Sequence, residues 1–242
     1  MTDQNLSAHS GVTTDSGRTS KPGAKPAASS WLAPLLAFVA GFVDTAGFVV
    51  LGGLFLAHVT GNFVVLGAQL QGRGGEDVVE KLSVLPIFVV GVALAWFLQR
   101  RFTSRAAFSL AVLETALLVG ALGAAAVMER NAGGSAITRW VLITSGVLAM
   151  GVQAMLGRVG KLPMTTVMTG NVTQTTTEAL GMIVEGKKST EGLRAGVLLV
   201  GAFALGAACA GLGLRFGGAV SLLLPIAAMA AVCAIFAQER PG

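Results

Sequence analysis

Long apolar runs separated by short polar stretches recur along this chain from Trp31 to Ala237. Eight segments follow this pattern, at approximately 31–51, 54–71, 83–99, 106–127, 137–157, 164–184, 194–214 and 218–237. Their lengths match the roughly 20 helical residues needed to cross a bilayer. They lack the strict alternation of a barrel strand, and a backbone facing lipid must satisfy its own hydrogen bonds, so the pattern predicts helices. Six segments read as convincing spans, whereas the second and sixth are weaker because of their polar content. The expected fold is therefore all-α, a polytopic transmembrane helix bundle with six to eight membrane helices.

The two interrupted segments share a motif. Residues 58–62 read His-Val-Thr-Gly-Asn and residues 167–171 read Val-Met-Thr-Gly-Asn. The chain has four Asn residues, and the two in apolar surroundings both belong to this tripeptide. Placing Thr60 on Thr169 also places Ala40 on Ala149, Val43 on Val152 and Asp44 on Gln153. One further residue of slip puts Val90 and Gly91 on Val200 and Gly201. The apolar segments correspond in order, first with fifth through fourth with eighth, so the chain reads as two homologous halves, 31–127 and 137–237. Duplicated halves are a common plan of membrane transporters, whose substrate site lies near the midplane where the repeats meet. Four spans per half would make the repeats parallel, and three would make them inverted.

Helical spacing groups the polar residues of these segments. His58, Asn62 and Gln69 share one stripe of the second segment, and Asn171, Gln174, Thr175 and Glu178 share the matching stripe of the sixth. Such groups in hydrocarbon need partners in neighbouring helices or in a wetted cavity. Two readings follow. Either Thr60, Gly61, Asn62, Thr169, Gly170 and Asn171 face one another across a substrate path, or the glycines permit close helix packing while Thr and Asn bond across it. Asp44 is the sharper signal, because an ionisable group costs at least about 2.5 kcal/mol at a helix centre and usually serves an ion or substrate pathway. Glu114, midway along the fourth segment, is a secondary candidate. Gln153, at the position matching Asp44, cannot titrate, so the halves would differ in role.

Composition agrees with membrane residence: 53% of residues are hydrophobic and 12% are charged, against about a quarter charged in soluble domains. The formal net charge of +5 fits basic residues retained in cytoplasmic loops. No stripe of Lys and Arg interleaved with aromatics occurs, so the basic balance does not imply nucleic acid. Cys209 and Cys233 stand in apolar runs without metal-ligand spacing, and no metal or cofactor is expected. Residues 1–30 are polar and small, and are expected to form a disordered cytoplasmic tail that stays uncleaved. With eight spans, eleven of the seventeen basic residues fall inside; with six spans and two re-entrant segments, twelve do. Both schemes put both termini in the cytoplasm.

Gly41-Phe-Val-Asp44-Thr-Ala46-Gly47, His58-Val-Thr-Gly-Asn62, Gly151-Val-Gln153-Ala154 and Met168-Thr-Gly-Asn171 together resemble the YoaK-like family of bacterial membrane proteins, the domain of unknown function 1275. The resemblance covers about residues 33–237. Ala154-Met155 departs from the Asn-Ala that the family pattern would place after the Gln. The resemblance implies a multi-pass bacterial inner-membrane protein with six spans and no established activity. The leading expectation is a small-solute transporter or channel with a small-molecule or ion substrate. The alternatives are a non-transporting assembly partner or, less in keeping with the sequence, an intramembrane enzyme. No His-Glu-x-x-His, Gly-x-Ser-x-Gly or redox Cys pair is present, so the chain is not expected to be an enzyme. The lipid bilayer is the expected partner, and the glycines from Gly201 to Gly218 are also compatible with a homo-oligomer.

Overall fold

A computed structural model describes residues 30–70, 77–131, 134–186 and 190–238. The expected disordered tail lies outside the described residues, apart from Ser30. Eight α-helices occur among them: α1 (Leu32–Val50), α2 (Gly61–Gln69), α3 (Val78–Arg101), α4 (Ala106–Arg130), α5 (Ala136–Val159), α6 (Met168–Val184), α7 (Glu191–Gly217) and α8 (Leu223–Gln238). Each predicted apolar segment contains one helix.

Five stretches are long and apolar enough to cross a membrane: Leu32–Val50, Val78–Arg101, Thr103–Arg130, Ala136–Val159 and Glu191–Gln238. The last contains both α7 and α8, so six helices lie within these stretches. With 9 residues, α2 extends only about 14 Å, under half the hydrocarbon thickness. Neither α2 nor α6 is among the five. The chain breaks where glycine permits it: Gly52 and Gly53 follow α1 with φ of +69° and +96°, and Gly218 ends α7 with φ of +55°. At that second break the Glu129 carboxylate accepts the Ala219 N–H at 2.7 Å, joining the end of α4 to the α7–α8 junction.

Arg139, in the first turns of α5, fixes the relative direction of the helices. It donates to the Leu51 carbonyl at 2.9 Å and to both carboxylate oxygens of Glu80 at 2.6 and 2.7 Å. The end of α1 and the starts of α3 and α5 therefore share one face of the bundle. Through Glu129, the end of α4 and the α7–α8 junction lie on that face as well. Hence α1, α4 and α7 run toward it, and α3, α5 and α8 run away from it.

The centre of the bundle is α1 and α5, of whose most apolar windows 61% and 67% are buried, against 17% for α3. These two are antiparallel: Gln153 bonds to Leu36 early in α1, whereas Leu56 nests against both Gly47, late in α1, and Gly146, which precedes Gln153 in α5. Around them, α7 packs on α1 as α3 packs on α5. Each of these parallel pairs crosses on reciprocal glycines. A Cβ added at Gly91 would lie 2.8 Å from the Leu148 carbonyl oxygen, and one at Gly151 would lie 2.7 Å from that of Phe88. In the other pair, Gly41 faces the Phe203 carbonyl and Gly206 faces that of Phe38. In all four cases the carbonyl belongs to the residue three before the partner's glycine, so small residues let the backbones touch, the usual means of close helix association in membranes.

Candidate functional site

The loop from Leu51 to Thr60 connects α1 to α2 through the protein interior. Leu51, Leu54, Leu56, Ala57 and Val59 are all buried, which supplies the apolar anchoring, but an irregular backbone at this depth leaves N–H and C=O groups to satisfy. Asp44 takes two of the donors. Its Oδ1 accepts the Ala57 N–H at 2.7 Å and the His58 N–H at 3.1 Å, while its Oδ2 pairs with His58 Nδ1 at 2.6 Å. Because Asp44 stands six residues before the end of α1, the loop re-enters by about 9 Å.

Asn62 closes the same loop. Its Oδ1 accepts the Phe55 N–H at 2.9 Å and its Nδ2 donates to the Phe55 carbonyl at 2.8 Å, so one side-chain amide pairs both backbone groups of a single residue. Gly61 lies under the Phe55 ring, where a Cβ would come within 3.1 Å. Thr60 is exposed.

The loop before α6 is held in a similar way with different chemistry. Gln153 Nε2 donates to Thr165 Oγ1 and to the Leu36 carbonyl, both at 2.8 Å, holding the loop before α6 as Asp44 holds the loop before α2. Asn171 Nδ2 donates to the Met164 carbonyl at 2.6 Å, again seven residues back. The recurrence of Thr-Gly-Asn thus has a local cause: each Asn clasps the loop that leads into its own helix. Thr169 and Gly170 are exposed, and Gly170 faces open space.

The two tripeptides are not brought together. Helix α2 packs on α3 and α6 packs on α7, with no packing interface between α2 and α6. The hydroxyls of α6 also need no neighbouring helix: those of Thr173, Thr175, Thr176 and Thr177 each donate to the carbonyl four residues earlier, at 2.7 to 3.0 Å. Gln174 is exposed and Glu178 lies against Gly192 of α7. Gln69 has a buried side-chain oxygen without a hydrogen-bond partner among the described residues. Glu114 is fully buried in α4. The charge cluster of Arg139, Glu80, Asp77 and Lys81 and the loop ligand Thr165 were not singled out from the sequence; charges placed at the ends of apolar segments were the available signal for the cluster.

His58 is the titratable group of the first loop. Its ring packs edge-on against Phe55 and Phe203 at 6.2 and 5.8 Å between centroids. The hydrogen bond to Asp44 raises its pKa above the ordinary 6.5, burial opposes this, and the Asp44 charge adds to the rise. A pKa raised on folding gives a contribution that is complete below the ordinary value and is lost as pH climbs through the raised one. The melting temperature of the wild type relative to His58→Gln is therefore expected to fall as pH increases across that window. A difference independent of pH would contradict a charged His58–Asp44 pair.

A bundle of long apolar helices into which two loop-led helices, α2 and α6, are set defines a polytopic integral membrane protein. The family model described as a protein of unknown function (DUF1275) matches residues 32–235, and the chain belongs to that family. A stretch of 64 residues is 39% identical to the UPF0700 transmembrane protein YoaK of Bacillus subtilis (strain 168), covering 26% of this chain and 28% of that protein. The chain thus aligns to well under two thirds of this relative's length. No solved structure matches.

Proposed function

We propose that the protein is a small-solute transporter, not an enzyme, built from two inverted repeats with the solute path running beside α1 and α5. The observation that carries this reading is the pair of helices, α2 and α6, at matching places in the two halves, each entered through a loop held by a polar side chain of a central helix. Interrupted helices in corresponding positions are how many transporters form a site near the midplane, because free backbone groups there can serve a solute. The antiparallel relation of α1 and α5, the paired glycine crossings and the two asparagine clasps all support inverted duplication with three spans per half. The face carrying both chain ends is read as cytoplasmic. It would hold twelve of the seventeen basic residues, those of the tail with Arg100, Arg101, Arg105, Arg158, Lys161, Lys187, Lys188, Arg194 and Arg240, as basic retention requires. In a bacterium this is the cell or inner membrane.

Cysteine-accessibility labelling tests the path. With Cys209 and Cys233 replaced, single cysteines through 56–70 and 165–179 are treated with an impermeant thiol reagent from each side. Inverted repeats predict labelling along one stripe in each segment, the first reached from outside and the second from the cytoplasm. If neither segment labels, the loops are dry clasps and the protein is a non-transporting assembly partner.

A further inference from the structure

Glu114 is the least accommodated charged residue of the bundle. It is 0% exposed, and neither carboxyl oxygen has a hydrogen-bond partner among the described residues. Its neighbours along the same face of α4, Leu110, Ala111, Leu118 and Ala121, are buried and apolar. Packed on α4 are α3, α5, α8 and two short 3-10 turns, Gly218–Leu222, which has no charged residue, and Thr103–Arg105, whose Arg105 stands at the start of α4. From α8, the titratable Cys233 faces α4, with its sulfur 3.6 Å from Oγ1 of Thr115, the residue next to Glu114. The charged residues of α3 and α5, namely Glu80, Lys81, Arg100, Arg101, Arg139 and Arg158, all stand within the first or last four residues of their helices. Glu129 and Arg130 likewise end α4, so among the described residues no cation is positioned to pair with the carboxyl at its own depth.

An unpaired carboxylate in such surroundings is far costlier than the neutral acid, so the group holds a proton. Metal cations are a poor alternative. They require several oxygen, nitrogen or sulfur ligands, and no group of three or more His, Cys, Asp or Glu suited to hold one occurs among the described residues. A proton requires one carboxyl.

We propose that Glu114 is an intramembrane proton-binding site, at which one O–H bond forms as a proton enters from water and breaks as it leaves. Through this site a proton gradient would act on the bundle. The proposal stands on the surroundings of Glu114, independently of the solute path, and its test requires no transport assay.

The test is labelling by dicyclohexylcarbodiimide, an apolar reagent that takes up a protonated carboxyl by addition, with no leaving group. Full-length protein in lipid nanodiscs is treated across a series from about pH 5 to about pH 9, a range that includes buried glutamates, and the adduct is located by peptide mass spectrometry. The expected result is an adduct at Glu114 that declines toward alkaline pH and is absent in Glu114→Gln. Mapping on the wild type keeps the test valid should the variant fold poorly. No adduct at any pH overturns the proposal. So does an adduct of constant yield across the series, which would mark a permanently neutral acid that exchanges no proton.

Discussion

Asp44→Ala is expected to lose most of its folded protein, while Asp44→Asn remains folded and correctly inserted. Alanine removes the acceptor for the Ala57 and His58 N–H groups, and each donor left buried without a partner costs about 1–3 kcal/mol. Water cannot rescue Ala57, which is buried, so the loop must either strain or withdraw. Asparagine keeps an oxygen in the Oδ1 position and gives up only the charge opposite His58. Monodispersity and melting temperature in detergent distinguish the two variants. If alanine is as stable as asparagine, the loop is held by its leucines alone. On the transport reading Asp44→Asn abolishes uptake while staying folded, and full uptake in that variant would confine Asp44 to holding the loop.

The second large effect is expected at the glycine crossings. In Gly151→Ala the new Cβ would meet the Phe88 carbonyl at 2.7 Å and the Val92 nitrogen at 3.0 Å. Both are backbone atoms, so relief requires α3 and α5 to separate. Overpacking of this kind costs about 1–3 kcal/mol, and more where the neighbour cannot yield. Gly201→Ala is the matched control, because nothing lies within 4 Å of its Cβ position and alanine is the better helix former. The expected outcome is a clear drop in melting temperature for Gly151→Ala and none for Gly201→Ala. Equal melting of the two variants would mean that close contact between α3 and α5 contributes nothing to stability.

Hydropathy was enough to locate all eight helices, because lipid imposes one backbone solution on long apolar runs. At the second segment the polar interruptions leave both a crossing and a re-entrant form open, and there Asp44, Asn62 and the glycines after α1 divert half of 54–71 into a loop. The tripeptide was legible as a repeat, yet its use was not. Helical spacing assigned Asn62 and Asn171 outward partners, whereas both amides turn back to residues seven earlier that are not helical. Gly91 aligns with Gly201 by sequence offset, yet it is Gly206 that faces Phe38 as Gly91 faces Leu148. Close packing selects a glycine by its position on the crossing face, and a shift in helix length moves that position without leaving a trace in the apolar pattern.

The buried loop between α1 and α2 also constrains how the chain can be made. Leu51 is held by Arg139, 88 residues further on, and Leu56 lodges against Gly146. During synthesis the ribosome delivers α1, the loop, α2, α3 and α4 before either of these partners exists. The insertion machinery therefore meets 54–71 as one apolar run and must leave it unsettled in the bilayer or at its surface. Only when α5 emerges can the loop take its place, so a chain arrested before Arg139 would carry an unfinished first half, exposed to the membrane's quality-control proteases.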